Sequence, residues 1–435
     1  MKKVLIITYY WPPSGGGGVQ RWVKFVKYMR DYGWEPIVFT PENPERPALD
    51  ESLLKEIPEG TTVLKNRVWE PYLYYKKLTG KKNSDQIQTA FLAEKKSTSN
   101  VLENLAIWVR GNFFIPDARI FWIKPSIRFL NTYLENNPVD VIISTGPPHS
   151  AHMIAASLKR KLNIPWLADF RDPWTNIDYY HELRLFKWAD RKHHRLEKQV
   201  LKEANDVTVI SPGMRREFEA IVPRVYTVIP NGYDREDIKQ SGVTSQGKNK
   251  FSITHVGSLT KTRNPKNLWQ ALLELVSEDA GFARDLEIHN VGKIDFLAVE
   301  SLDKFHLKKY LRKTDYLPHD QVIVEQQKAS LLLLLVNDTP NAKLILTGKI
   351  FEYLSSQRPI ICIAPEDGDA ANVINSTNSG KVFGFQEVDS LKQYLFDCFQ
   401  LFKHNKLQIN SVGVEKYERK NLTYSMCSQL NKLIE

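Results

Sequence analysis

Cysteine is scarce in this 435-residue sequence: Cys362, Cys398 and Cys427 are the only three, and they are widely spaced. That excludes a disulfide scaffold and a paired-cysteine metal site, and it suits a reducing compartment with free buried thiols. Long apolar runs are missing too. The longest, Leu331–Val336, is far shorter than a bilayer span and reads as a central strand. The chain enters a strand-like run at once, with no apolar signal segment before it, so a cytoplasmic protein is expected. No internal repeat and no nucleic-acid module are visible, and nucleic acid is not an expected partner. The opening loop is glycine-rich, yet no register gives G-x-G-x-x-G and no Gly-Lys-Ser/Thr follows. The standard dinucleotide turn and the P-loop are therefore excluded. His149 and His152 have no cysteine near them with which to build a metal site.

Positive charge is what the sequence has in excess. Its 60 Lys and Arg against 50 Asp and Glu give a net charge of +10 and a pI near 9.2. On charge alone nucleic acid, an anionic membrane and a phosphorylated small ligand are all open, as is an evenly solvated surface that is simply basic. The length calls for two or three domains. Strand patterns alternate with helix patterns almost throughout, which implies parallel sheets covered by helices on both faces. In the first half strands fit Val4–Tyr10, Glu35–Phe39, Val139–Ser144, Trp166–Asp169, Asp206–Ile210 and Tyr226–Ile229; helices fit Val19–Tyr32, Ser150–Lys161 and Leu183–Lys202. The polar stretch Ser241–Lys250 reads as a linker. The pattern then restarts, with strands at Phe251–Val256, Leu286–Val291, Leu331–Val336 and Pro359–Ile363. Helices fit Asn267–Ser277, Lys349–Ser355, Leu391–Leu401 and the amphipathic end Val414–Leu433. The fold class is α/β with two doubly wound domains.

Two strand-loop-helix segments look built to hold a phosphate-bearing ligand. The first joins Val4–Tyr10 through Gly15, Gly16, Gly17 and Gly18 to a helix carrying Arg21. The second joins Phe251–Val256 through Gly257, Ser258, Lys261 and Arg263 to a helix opened by Pro265. Glycine lets a ligand approach the backbone, and a helix start offers free N–H groups and a positive dipole end. Lys261 and Arg263 there suit a diphosphate, including one that departs as a leaving group. Gly348 and Lys349 open a short helix, with Thr347 as its N-cap, and Glu352 on it can accept two sugar hydroxyls. At the end of another strand, Asp169, Arg171 and Asp172 form either a self-neutralising cluster or a group that orients an acceptor hydroxyl. His149 and His152 end the strand before it, either as structural histidines or as site residues.

Between Pro71 and Asn137 basic residues interleave with Trp108, Phe113, Phe114, Phe121 and Trp122. That composition fits either a helical insertion with its aromatics packed inward or a membrane-interface segment.

With these motifs in order, the chain resembles the family-4 retaining glycosyltransferases. The resemblance runs end to end and rests on the Gly15–Gly18 loop, Ile229-Pro230-Asn231-Gly232-Tyr233-Asp234, Val256-Gly257-Ser258-Leu259 through Arg263, and Gly348-Lys349-Ile350-Phe351-Glu352-Tyr353-Leu354. It implies the GT-B fold, two Rossmann-like domains facing across a cleft, with a C-terminal helix crossing back to the N-terminal domain. The domains would be 1–235, binding acceptor and carrying an insertion at about 71–137, 236–412, binding the nucleotide sugar, and a crossover helix at 413–435. By resemblance Arg263 grips the donor diphosphate with Lys261 assisting, and Glu352 holds the ribose. Gly257, Ser258, Gly348, Lys349 and His319 complete the donor site, with His319 in the loop that frames the base. Gly16, Gly17, Gly18, Arg21, His149 and Arg171 line the acceptor side, where Asp172 or Asp169 orients the attacking hydroxyl. Two family positions differ: an arginine is Ser258 here, and the first glutamate of a pair is Leu344. Asn337, Asp338 and Asn341 are the candidates to replace that glutamate.

The implied reaction needs no metal and no cofactor beyond the donor. The acceptor would be a saccharide or lipid-linked saccharide of cell-surface polysaccharide or lipopolysaccharide assembly. Separately, the cationic aromatic stretch, read as a membrane-interface segment, gives the expectation of peripheral contact at the inner face of an anionic membrane. The competing readings are a nucleotide-sugar epimerase of the same fold and a non-enzymatic basic protein that binds membrane or polyanion.

Overall fold

The computed structural model describes residues 1–45, 49–69, 108–177, 180–240 and 250–435. Contacts divide the chain into two units, Met1–Pro230 with Lys420–Glu435, and Asn231–Arg419. The linker reading at 241–249 and most of the insertion at 71–107 lie outside the described residues.

The first unit is built on seven parallel strands: β1 Lys2–Ile7, β2 Trp34–Pro41, β3 Thr62–Asn66, β4 Val141–Gly146, β5 Trp166–Phe170, β6 Asp206–Val209 and β7 Thr227–Val228. Their order across the sheet is β3-β2-β1-β4-β5-β6-β7. Central strands of a parallel sheet are covered on both faces, and β4 and β5 are accordingly buried at every position. Alternate residues feed two cores. Leu5, Ile7, Phe39 and Ile142 point to one face, where Ile154 and Leu158 of the helix Ser150–Leu162 meet them. Val4, Ile6, Val38 and Ile143 point to the other, against Trp22 and Val26 of the helix Gly17–Met29. Residues 420–435 return to this second face: Leu422, Met426, Cys427 and Leu430 join its core, and Asn431 accepts from Lys2 Nζ and Trp34 Nε1. The helical stretch expected at Val414–Leu433 is broken at Glu418, whose extended backbone pairs with Tyr233 and separates a 3-10 turn from the helix Arg419–Lys432.

The second unit has six parallel strands: β8 Phe251–Val256, β9 Leu286–Val291, β10 Leu311–Thr314, β11 Leu331–Leu335, β12 Ile360–Ile363 and β13 Gly380–Phe383, ordered β10-β9-β8-β11-β12-β13. The order reverses between β8 and β11, and ligands of open α/β sheets bind outside the strand ends at such a point. A β-carbon on Gly380 would overlap the Ile360 carbonyl, so glycine lets β13 close on β12.

Two expected site residues are instead the internal pin of the first unit. Arg21 and Asp169 are fully buried and paired, Nη2 to Oδ1 at 2.8 Å. Asp169 also accepts from Trp22 Nε1, Thr145 Oγ1 and Thr208 Oγ1 at 3.0, 2.9 and 2.9 Å. Arg21 donates onward to the carbonyls of Ile229 and Pro230. With its oxygens so occupied, Asp169 has no lone pair left to orient an acceptor. Arg119 and Trp122, part of the interleaved stretch, are core residues as well. Trp122 stacks on Phe39 at 5.8 Å, and Arg119 pairs with Glu45 over the Tyr9 ring. Among the described residues no helix is long and apolar enough to cross a membrane.

Burial alone would raise the Asp169 carboxyl, but Arg21 and the two threonine hydroxyls hold it below its usual range. A depressed native pKa stabilises above the unfolded value and loses that contribution as pH falls through the native one. Asp169→Asn strands a buried guanidinium and is expected to cost about 3–5 kcal/mol. Thermal unfolding at neutral pH checks the cost, and the variant should lose less stability than wild type below about pH 4.

Candidate active site

In the second unit the site begins where β8 ends. Gly257 has φ +116, a conformation L side chains rarely adopt, and a β-carbon there would overlap Lys349 Nζ. The Lys349 side chain therefore lies directly on the bare glycine. Beyond Ser258 the chain makes a 3-10 turn, Lys261–Arg263, before the helix Lys266–Glu278. Arg263 Nε donates to Asn337 Oδ1 just past β11, and Asp338 N donates to Thr262 O at 2.8 Å, so two strand-end loops fix each other. Asn337, proposed as a replacement for the missing glutamate, is committed to Arg263. Lys261 and Arg263 edge an open pocket of about 350 Å³ that also reaches Asp338, Asn267 and Phe385.

The helix Lys349–Ser355 begins one residue later than a Thr347 cap would give: Gly348 is the N-cap, while Thr347 Oγ1 still accepts from Lys349 N at 3.1 Å. Ile350, Phe351, Tyr353 and Leu354 are buried. Glu352 is half-buried, and one of its oxygens accepts from Gln326 Nε2 at 3.2 Å. Lys349 Nζ has no hydrogen-bond partner among the described residues. Burial first, and then the Arg263 charge, push its pKa down to about 7, with Glu352 opposing. His319 sits in the first turn of the helix His319–Lys328 and faces Asp237, Nε2 to Oδ2 at 3.2 Å.

Two residues here were not singled out in the sequence. Tyr353 accepts from Val256 N at 2.9 Å and donates to Leu333 O, tying β8 to β11 where the strand order reverses. His255 is buried and donates Nδ1–H to Leu333 O at 2.9 Å, which leaves an unpartnered Nε2 lone pair. Burial, then Lys349, push its pKa down to about 3. An imidazole inside an apolar strand gives no sequence signal of its own.

In the first unit the corresponding loop is closed by another cation on another glycine. Gly16, with φ +110, caps the helix Gly17–Met29. A β-carbon on Gly18 would overlap the Arg171 guanidinium. Arg171 in turn donates to Gly146 O at 3.3 Å and to Pro147 O. A β-carbon on Gly146 would sit 2.6 Å from His152 Nε2 and 3.0 Å from His149 Nδ1, so both imidazoles pack on that glycine. His149 stacks flat on Trp174, centroids 4.3 Å apart. His152 Nδ1 meets Ser144 Oγ at 2.8 Å, and burial pushes its pKa down to about 3. Burial and the neighbouring His152 lower His149 as well, so both rings are neutral. Asp172 follows Arg171 and is half-buried. Gly18, Arg171, His149 and Asp172 thus cluster in one unit, and Gly257, Arg263, Lys349 and Glu352 in the other.

The Glycosyltransferase Family 4 model matches residues 15–237, just over half of the chain. The chain belongs to glycosyltransferase family 4. It is therefore a glycosyltransferase, as the motifs implied. No curated protein sequence matches it. Solved structures are similar over the full length. Sucrose-phosphate synthase from Thermosynechococcus elongatus is 13% identical, with 100% of this chain and 98% of that one covered and a TM-score of 0.60. The E. coli trehalose-6-phosphate structure bound with UDP-2-fluoro glucose is 12% identical, with 99% of both chains covered at 0.60. Anabaena HepE in complex with UDP-glucose is 15% identical, with 100% and 97% covered at 0.55. At these identities the likeness shows the fold, and two parallel sheets of Rossmann type are the GT-B architecture.

The depressed Lys349 ammonium makes a stability prediction. Between about pH 7 and 10.5 the unfolded chain binds a proton at this site that the native glycosyltransferase does not, so stability rises with pH across that window. Lys349→Met should raise the melting temperature at neutral pH and flatten the rise. An unchanged pH slope in the variant counts against a buried cation.

Proposed function

We propose that this glycosyltransferase moves a sugar from a nucleoside diphosphate sugar to a hydroxyl of a saccharide or lipid-linked saccharide, with retention of the anomeric configuration. The observation that carries the reading is Lys349. An ammonium without a hydrogen-bond partner among the described residues, lying on Gly257 and destabilised by Arg263, is a place where a diphosphate gains more than water would. Relatives of the same fold have been solved with such ligands: Anabaena HepE holds UDP-glucose and S. aureus TarM holds UDP with a saccharide. WaaB, another, is a lipopolysaccharide outer core galactosyltransferase, and it supports a role in cell-surface polysaccharide or lipopolysaccharide assembly.

In the proposed reaction the bond from the anomeric carbon to the diphosphate oxygen breaks through an oxocarbenium-like state. Lys349, Arg263 and Lys261 neutralise the charge that develops on the leaving group, which is electrostatic rather than covalent catalysis. Glu352 holds the ribose, with the oxygen that Gln326 leaves open. The acceptor hydroxyl attacks from the face the diphosphate leaves and passes its proton to a departing phosphate oxygen. Asp172, beside Arg171, is assigned to that hydroxyl. The three cations do the work a metal would otherwise do.

Arg263→Ala is expected to reduce transfer at least about a hundredfold while the melting temperature stays within a few degrees, in line with loss of one preorganised charge contact. Normal turnover in that variant refutes the assignment. Affinity for a nucleoside diphosphate, followed by titration calorimetry, should fall as pH rises above about 7, because binding then takes up a proton at Lys349. Lys349→Ala should bind more weakly and lose that dependence. Turnover in excess EDTA should match turnover without it; a loss restored by one divalent ion overturns the metal-free mechanism. An epimerase is the competing enzyme, since a putative UDP-N-acetylglucosamine 2-epimerase from Listeria monocytogenes shares the fold at a TM-score of 0.52. Conversion of a nucleotide sugar to its isomer with no acceptor present decides for it.

A further inference from the structure

We propose that the first unit docks on an anionic lipid surface through an exposed aromatic patch flanked by the N-terminal part of the helix Lys187–Glu203. Phe113, Phe186 and Trp188 are each about half exposed, at 56%, 47% and 47%. They are not scattered: Trp108 meets Phe113 at 5.8 Å and Phe186 at 5.2 Å, and Phe113 meets Trp188 at 5.9 Å. A second exposed pair, Trp69 and Phe121, is in edge contact at 4.7 Å, and Phe121 reaches Phe114, the neighbour of Phe113. A soluble surface leaves single aromatics exposed, whereas a contiguous cluster marks a surface that something covers.

Charge identifies the occupant. Arg184, Lys187, Arg191, Lys192 and Arg195 are all exposed around the patch. Trp188, Arg191, Lys192 and Arg195 stand at i, i+3, i+4 and i+7, so one helical stripe carries a membrane-seeking indole followed by three cations. Opposing carboxylates are few: Glu182 is exposed, but Asp190 accepts from Tyr180 OH at 2.9 Å, and Glu197 is buried under Trp174 and Thr175. Indoles and phenyl rings beside exposed cations match the headgroup layer of an anionic bilayer, where rings enter the acyl boundary and cations meet phosphate. A second copy of this chain would place like charges face to face. The value of such docking for a lipid-linked acceptor rests on the transferase reading above; the docking itself does not.

Flotation of the full chain with phosphatidylcholine vesicles containing phosphatidylglycerol tests the surface. Binding is expected with the anionic vesicles, weaker at high salt, and absent with phosphatidylcholine alone. Phe113→Ser with Trp188→Ser should weaken partition about tenfold or more, as expected for withdrawing two half-exposed rings. Arg191→Ser with Lys192→Ser should weaken it by a further, salt-sensitive factor of about five or more. Neither pair should alter the thermal shift given by UDP, so vesicle binding and donor binding are read separately. Two results overturn the proposal: no partition to anionic vesicles, or wild-type partition in both double variants. A dimer that these variants abolish, in the absence of vesicle binding, also overturns it by assigning the patch to self-association. Vesicle binding without a thermal shift by UDP leaves the docking standing and counts against the proposed donor site alone.

Discussion

A cation laid on a bare glycine is the device on which both halves of this glycosyltransferase depend. Arg171 lies on Gly18 in one unit and Lys349 on Gly257 in the other. In each case a β-carbon would displace the end of the charged side chain, and at Gly257 the backbone angle itself favours glycine. The consequence is chemical. A guanidinium or ammonium packed on backbone loses hydration on that side. The Lys349 ammonium shows the cost of that placement in its lowered pKa.

Around these points the two units use buried polarity differently. In the first, Arg21 and Asp169 satisfy each other and the groups around them, and the pair acts as a rivet joining the helix Gly17–Met29, β4, β5, β6 and the end of the unit at Pro230. In the second, Tyr353 does the joining, with one hydroxyl bridging β8 and β11, and the charges beside it are left underpaired. A fully satisfied network fixes geometry, while an incompletely satisfied one keeps binding capacity in reserve. By that criterion Arg21 and Asp169 belong to the scaffold, and Lys349 is the group that the proposed reading assigns to the donor.

Much of this was legible in the sequence, and the failures share a cause. Strands such as Phe251–Val256 and Leu286–Val291 were readable to the residue, because Phe251, Ile253 and Val256 in one and Leu286, Ile288 and Val291 in the other space apolar side chains along a short extended run. The edge strands β3, β10 and β13 were missed: Thr62–Asn66 and Leu311–Thr314 are half exposed and carry charge, and Gly380–Phe383 opens on a glycine. The glycine loops and the Lys349–Glu352 helix were legible as motifs. Which charges they serve was not, since pairing between Arg21 and Asp169 spans 148 positions and no local pattern encodes it. The aromatic-basic stretch divides along the same line. Trp122 and Arg119 go inward and Phe113 and Phe121 outward, a distinction that depends on what β2 and the strand ends place opposite them.

The two departures from the family pattern have a common electrostatic sense on the proposed reading. Replacing an arginine by Ser258 removes a positive charge from the diphosphate loop, and replacing a glutamate by Leu344 removes a negative one nearby, so the local balance is kept. Lys349 supplies a cation beside that loop, on a helix whose buried face is fixed by Ile350, Phe351 and Leu354. A charge anchored on a helix is held more rigidly than one on a loop, and rigid placement is what lets it stabilise a departing diphosphate without reorganising. Asn337, held against Arg263, then serves the same end by fixing the remaining loop cation rather than by touching the sugar.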